Sequence, residues 1–107
     1  MIGKVRKNGY YKDCQPMIII LIRGQSEIIP YKHKERVNID IIVGDRKFIA
    51  GVRYQDWTDD IKICQDLVDK EGNEFRLVDI LKIYGITYNY SIRLKTEGNR
   101  LAILGKV

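Results

Sequence analysis

The sequence predicts an α+β domain, mostly antiparallel β, built as a small barrel, roll or curved sheet of about six strands with one short helix near residues 77–84. The chain contains 18 isoleucines against 7 leucines. Isoleucine is stiff at χ1 and packs well on a pleated surface, so this excess favours strands. Two alternating runs around Gly44-Asp45 indicate a hairpin, and one segment has helical spacing. The 107 residues fit a single domain over 1–107.

The N-terminal part of the chain contains one clearly patterned strand. Residues 1–16 show little periodicity, and they form either a flexible basic arm or a short irregular strand. Residues 17–24 contain an unbroken apolar run that is typical of a buried strand. This run ends at Arg23 and is far too short to cross a bilayer, so no membrane association is expected. A further short strand is predicted around Ile28 and Ile29.

The clearest local prediction is a hairpin over residues 37–53. Alternate positions in its two halves are apolar: Val37, Ile39, Ile41, Val43, Phe48, Ala50 and Val52. Gly44-Asp45 lies between the two halves, and glycine supplies the positive φ that a primed turn requires. Residues 54–60 then form a polar loop that carries the one tryptophan, Trp57.

The C-terminal half predicts two strand pairs separated by the helix. Residues 61–68 are expected to pair with a short return strand over 74–77. The helix over 77–84 is predicted because Leu77, Ile80, Leu81 and Tyr84 follow the i, i+3, i+4, i+7 spacing, with Gly85 placed to end it. Residues 88–95 and 100–104 form the last hairpin.

Charge is distributed unevenly along the chain. The formal net charge of +5 arises from two basic ends, +5 over residues 1–36 and +3 over 74–107, around a middle of −3. Such asymmetry favours a polyanionic partner. Cys14 and Cys64 are far apart and outside any CxxC motif, so reduced thiols in a cytoplasmic protein are expected.

Basic residues interleaved with tyrosines are the most suggestive functional feature. Lysine and arginine neutralise phosphates, and tyrosine rings stack on unpaired bases. A non-enzymatic binding module that contacts DNA or RNA is therefore the favoured function. The candidate residues form three clusters: Lys4, Arg6, Lys7, Tyr10, Tyr11 and Lys12; Tyr31, Lys32, Lys34 and Arg36; and Tyr88, Tyr90, Arg93 and Lys95.

Two other functions stay open. A protein-interaction or homo-oligomerising role would cover isoleucine-rich sheet edges, with Trp57 as an interface anchor. A small metal-dependent nuclease or hydrolase is the third hypothesis, because Asp40 and the tripeptide Asp45-Arg46-Lys47 resemble the acid and D-x-K pattern of such enzymes. The turn preference of aspartate also explains Asp45.

No catalytic, metal or cofactor site is predicted. Cys14, His33 and Cys64 are mutually distant in the sequence, whereas a structural zinc site needs about four ligands at short spacing. The nine glycines stand singly, so there is no glycine-rich phosphate loop.

Overall fold

The isoleucine-rich runs form strands, and the one segment with helical spacing forms a helix. The computed structural model describes residues 1–23, 36–55 and 60–107. The described elements are β1 (Ile2–Tyr10), β2 (Pro16–Arg23), β3 (Val37–Val43), β4 (Arg46–Gln55), β5 (Asp60–Val68), β6 (Glu74–Arg76), α1 (Leu77–Ile83), β7 (Ser91–Glu97) and β8 (Arg100–Lys106).

Seven strands close into a barrel in the order β2-β1-β7-β8-β3-β4-β5, because β5 pairs in turn with β2. β6 is added beside the C-terminal half of β5, while the N-terminal half of β5 pairs with β2 on the same side. β3 and β8 are parallel, and every other pair is antiparallel. A closed ring with an odd number of strands cannot alternate in direction throughout, so one parallel pair is required.

Alternation along the strands separates a dry interior from a polar exterior. Ile20, Ile63 and Val52 lie opposite one another on β2, β5 and β4, and all three are fully buried. The adjacent positions Leu21, Lys62 and Arg53 therefore lie on the outer surface. Among the described residues, Asp60 is the one charged residue that is buried.

Helix α1 packs against β2, β5 and β6 through Leu77, Val78, Ile80 and Leu81, which all belong to the core. It ends at Ile83, one residue before the predicted end, and Gly85 follows with a φ of +71°, as expected for a glycine that terminates a helix. The Gly85 N–H donates to the Lys82 carbonyl and the Ile86 N–H to the Leu81 carbonyl, which is a Schellman motif with a buried Ile86.

Both predicted hairpins are confirmed. β3 and β4 pair from Val37↔Val52 to Val43↔Arg46 around Gly44, whose φ is +63°. β7 and β8 pair around Gly98 in the same manner. The buried strand over 17–24, the strand over 61–68 and its short return strand correspond to β2, β5 and β6.

Three expectations need correction. The described residues contain eight strands where about six were expected. Of the two alternatives for residues 1–16, the flexible arm is wrong and the strand is found, as the nine-residue β1, which pairs with both β2 and β7. Its pattern is hard to detect because Gly3 and Val5 are its only buried positions.

The third correction concerns Tyr88 and Tyr90, which precede β7 rather than forming its first residues. Asn89 between them has a φ of +71°, and this conformation interrupts an extended strand. The short strand expected around Ile28 and Ile29 lies outside the described residues. In the described part of the chain, no helix combines the length and apolar character that a membrane span requires.

Candidate nucleic-acid interface

Pairing of β1 with β7 brings two of the three predicted clusters together. Ile2 lies opposite Arg93, and Lys4 lies opposite Ser91. Lys4 and Arg93 are therefore diagonal neighbours on the outer surface, at a spacing of roughly 7–8 Å. Arg6 on β1 and Lys95 on β7 extend the same face in opposite directions, because the two strands are antiparallel, and we call Lys4, Arg6, Arg93 and Lys95 the basic face.

The cations of the basic face are largely unpaired. Within the described parts of the chain, no hydrogen bond or ion pair engages the side chain of Lys4, Arg6 or Arg93. Lys95 has a long contact with Glu97, 3.8 Å between Nζ and Oε1, with both side chains about half exposed or more. Such an exposed pair contributes little to stability and leaves Lys95 available.

A shallow depression of about 310 Å³ lies beside the basic face. Its lining includes Lys4, Arg6, Leu21, Arg23 and Asp60. Arg23 Nε lies 3.1 Å from Asp60 Oδ1, so this arginine is partly neutralised. The depression is thus bordered by more cations than anions.

Three predicted residues form a separate group around Lys7. Lys7 Nζ donates to the Tyr10 hydroxyl at 2.8 Å and lies 4.9 Å and 5.3 Å from the ring centroids of Tyr10 and Tyr88. The hydrogen bond with Tyr10 raises the pKa of the Lys7 ammonium above its ordinary value. Tyr90 is 38% exposed, and Lys106 Nζ lies over its ring, 5.6 Å from the centroid.

Tyr11 is occupied by contacts within the protein. Its hydroxyl donates to Asp66 Oδ1 at 2.7 Å, and the Arg76 guanidinium lies 3.8 Å from its ring centroid. Arg76 in turn donates to Asp13 at 2.8 Å and to Gln15 at 2.6 Å. Burial, and then the hydrogen bond with Asp66, raises the pKa of the Tyr11 hydroxyl. We call these five residues the Tyr11 network, and its Tyr11 ring is covered rather than free to stack on a base.

The remaining predicted residues do not join the basic face. Arg36 lies over the backbone of Gly51 at the edge of a groove of about 730 Å³, which is also lined by Tyr11 and Arg76. Lys12 is exposed in the turn between β1 and β2. Tyr31, Lys32, Lys34 and Trp57 lie outside the described residues.

Sequence reasoning missed three cations that the barrel places near the basic face: Arg23, Arg53 and Lys62. Each alternates with buried apolar residues in its own strand, so each looked like an ordinary solvent-facing position. Arg23 lies on β2, directly beside β1, and the closing β2–β5 pairing places Lys62 two strands and Arg53 three strands away from β1. The alternation of apolar and polar residues predicts that these three cations face the exterior, but the sequence does not predict the order of the strands in the barrel.

The residues considered for metal or nucleophilic chemistry assemble only in part, since Asp40, Arg46 and Lys47 line one depression of about 590 Å³. Asp45 lies in the β3–β4 turn, as its turn preference predicts. Within residues 1–23, 36–55 and 60–107, no three histidine, cysteine, aspartate or glutamate side chains are placed to hold a metal ion. Cys14 is exposed and Cys64 is buried, and both are free thiols.

Comparison of the chain with protein-family models, with curated proteins and with solved structures found no match. The distribution of charge over the barrel is therefore the basis for a functional proposal.

Proposed function

We propose that this protein is a non-enzymatic binding module that contacts nucleic acid through the basic face on β1 and β7. The observation that supports this function is that Lys4 lies next to Arg6 along β1 and next to Arg93 across the β1–β7 pair, and that all three cations lack partners among the described residues. Like charges this close repel one another, and phosphate groups would relieve that repulsion.

The phosphate contacts supply most of the affinity in this proposal. The tyrosines contribute less than their number in the sequence indicates, since Tyr11 is covered by Arg76 and Tyr88 packs against the core. Tyr10 and Tyr90 are the more exposed candidate rings, at 57% and 38%. A ligand held mainly through its backbone is bound with little sequence preference and with steep dependence on salt.

Charge reversal tests this function. Lys4→Glu/Arg93→Glu is compared with Lys47→Glu/Lys70→Glu, which changes the total charge equally at exposed positions on β4 and in the β5–β6 turn. We expect the first variant to bind a labelled oligonucleotide at least tenfold more weakly at about 50 mM salt, because two phosphate contacts are lost. We expect the control to bind within about threefold of the unmodified protein. Equal losses in the two variants would mean that only net charge matters, and absence of binding by the unmodified protein at low salt would exclude the function.

An accessory role in protein interaction or self-association is the second candidate. Apolar side chains exposed near the end of α1 favour it, since Tyr84 and Leu104 are 42% and 61% exposed beside a depression of about 110 Å³. Light scattering distinguishes this candidate, because self-association gives a mass above 12.5 kDa.

A further inference from the structure

We infer that the ligand is a single-stranded nucleic acid whose backbone follows a cationic belt across the strands, well beyond the basic face. The belt consists of Arg53 on β4, Lys62 on β5, Lys4 on β1 and Arg93 on β7. This inference rests on the proposed function and adds the path of the ligand and its class.

The register of the barrel defines the belt. Arg53 lies opposite Lys62, and Lys62 lies opposite Leu21 on β2. Leu21 lies opposite Lys4, which has Arg93 as its diagonal neighbour. One continuous row of outer positions therefore runs perpendicular to the strands, and its cations come from distant parts of the sequence.

The belt cations are available to a ligand. Arg53 is exposed and Lys62 partly exposed, and their neighbours Val52, Ile61 and Ile63 are fully buried on the opposite side of the sheet. As with Lys4 and Arg93, neither Arg53 nor Lys62 has an ion pair or side-chain hydrogen bond with any described residue. Arg23 lies next to the belt on β2. It forms an ion pair with Asp60, and we therefore expect it to bind a phosphate more weakly than the belt cations do.

The curvature of the barrel selects a flexible ligand. The belt crosses five of the seven barrel strands, and its four inter-strand steps of about 4.8 Å give an arc of about 19 Å. The protein measures 33 × 28 × 27 Å, so this arc turns around more than half of a strongly convex surface. A duplex with a persistence length of about 150 base pairs is straight on this scale and would touch only one side of the arc. A single strand can bend along it and contact every belt cation.

DNA and RNA share the phosphodiester chemistry that the belt recognises, so both are tested. The probes are fluorescent oligo(dT) and oligo(U) of about 20 nucleotides, longer than the roughly 4–16 nucleotides that one OB-fold barrel covers, together with a DNA duplex of about 20 base pairs. The key variant is Arg53→Glu/Lys62→Glu, compared with Lys4→Glu/Arg93→Glu and with the control Lys47→Glu/Lys70→Glu. Circular dichroism and a thermal melt establish that each variant is folded.

We expect Arg53→Glu/Lys62→Glu to weaken binding of the single strands at least tenfold at about 50 mM salt, to an extent similar to Lys4→Glu/Arg93→Glu. Its effect on the duplex should stay within about twofold, since a straight ligand seated on β1 and β7 does not reach β4. The four belt cations Lys4, Arg53, Lys62 and Arg93 predict a slope of log K against log salt of about −2.8 for single strands. Equal affinity for oligo(dT) and oligo(U) indicates backbone recognition, and a preference for oligo(U) identifies RNA as the ligand.

Three failures can be told apart. If Lys4→Glu/Arg93→Glu weakens binding but Arg53→Glu/Lys62→Glu does not, the proposed function holds and the belt is wrong. If the duplex binds more tightly than the single strands, the inferred ligand class is wrong. If the unmodified protein binds none of the probes at low salt, the proposed function itself fails.

Discussion

The basic face and the Tyr11 network both contain arginine and place it in different surroundings. In the network, Arg76 has a ring and two hydrogen-bond acceptors around it, and the Tyr11 hydroxyl has a carboxylate partner. On the basic face, Lys4 and Arg93 point outward without partners among the described residues. Arginine and tyrosine side by side therefore do not define a binding site; the absence of an internal partner is the more informative property.

The largest effect should come from comparing one arginine of each region. Arg76→Ala removes the cation over the Tyr11 ring and the bonds to Asp13 and Gln15, so we expect a thermal midpoint lower by several degrees and unchanged nucleic-acid binding. Arg93→Ala should weaken binding several-fold with an unchanged midpoint, because it removes a cation but no internal contact. Thermal melts and oligonucleotide titrations of both variants give the answer. If both variants lost stability and affinity together, the two regions would not be functionally distinct.

A smaller effect is expected from one hydroxyl. Tyr11→Phe keeps the ring under Arg76 and deletes the 2.7 Å bond to Asp66, so we expect a loss of about 1 kcal/mol in the free energy of unfolding. Tyr90→Phe is the matched control, because its hydroxyl has no hydrogen bond among the described residues, and its change should stay within about 0.5 kcal/mol. Urea denaturation measures both. A Tyr11→Phe protein as stable as the control would show that the network contributes little.

The smallest expected effect is a change in the pH dependence of thermal stability when Asp13 is replaced. The hydrogen bond from Arg76 holds the pKa of Asp13 below its ordinary value of 3.8. A carboxyl whose pKa is lower in the folded than in the unfolded state stabilises the fold above the unfolded pKa, and this contribution is lost as pH falls through the folded pKa. Asp13→Asn should therefore melt below the unmodified protein near neutral pH, and the difference should shrink between about pH 4 and pH 2.

Asp45→Asn serves as the control for the acid experiment, because its carboxylate has no hydrogen bond among the described residues. Its melting difference should be small at every pH. A difference for Asp13→Asn that stayed constant with pH would indicate a loss unrelated to the charge of the carboxylate.

The sequence predicted most of the elements, because alternation and turn glycines are local signals. The hairpin around Gly44, the helix ended by Gly85 and the buried strand through Ile18 to Ile22 were all found with nearly the observed bounds. The sequence does not distinguish an arm from a strand over residues 1–16, because Gly3 and Val5 are the only residues that β1 buries. Tyr88 and Tyr90 were assigned to β7 because tyrosine alternation looks the same whether or not the backbone is extended.

The candidate site was only partly predictable for a different reason. Lys4 and Arg93 were identified from their local clusters, but their proximity depends on β1 lying between β2 and β7. Arg53 and Lys62 had no local signal at all, since single cations between apolar residues are typical of any half-exposed strand. Strand order is a long-range property, and alternation along one segment carries no information about it.

The position of β1 between β2 and β7 also has a consequence for how the barrel assembles. The hairpins around Gly44 and Gly98 can form early from neighbouring residues. The ring, in contrast, closes only when the first strand meets one that lies about 90 residues later, and when β3 meets β8, which lies about 60 residues later. Such non-local pairings place folding in the slow range for small proteins, about milliseconds to seconds. The cationic belt crosses the β2–β5 and β1–β7 pairings, and it therefore exists only in the fully closed molecule.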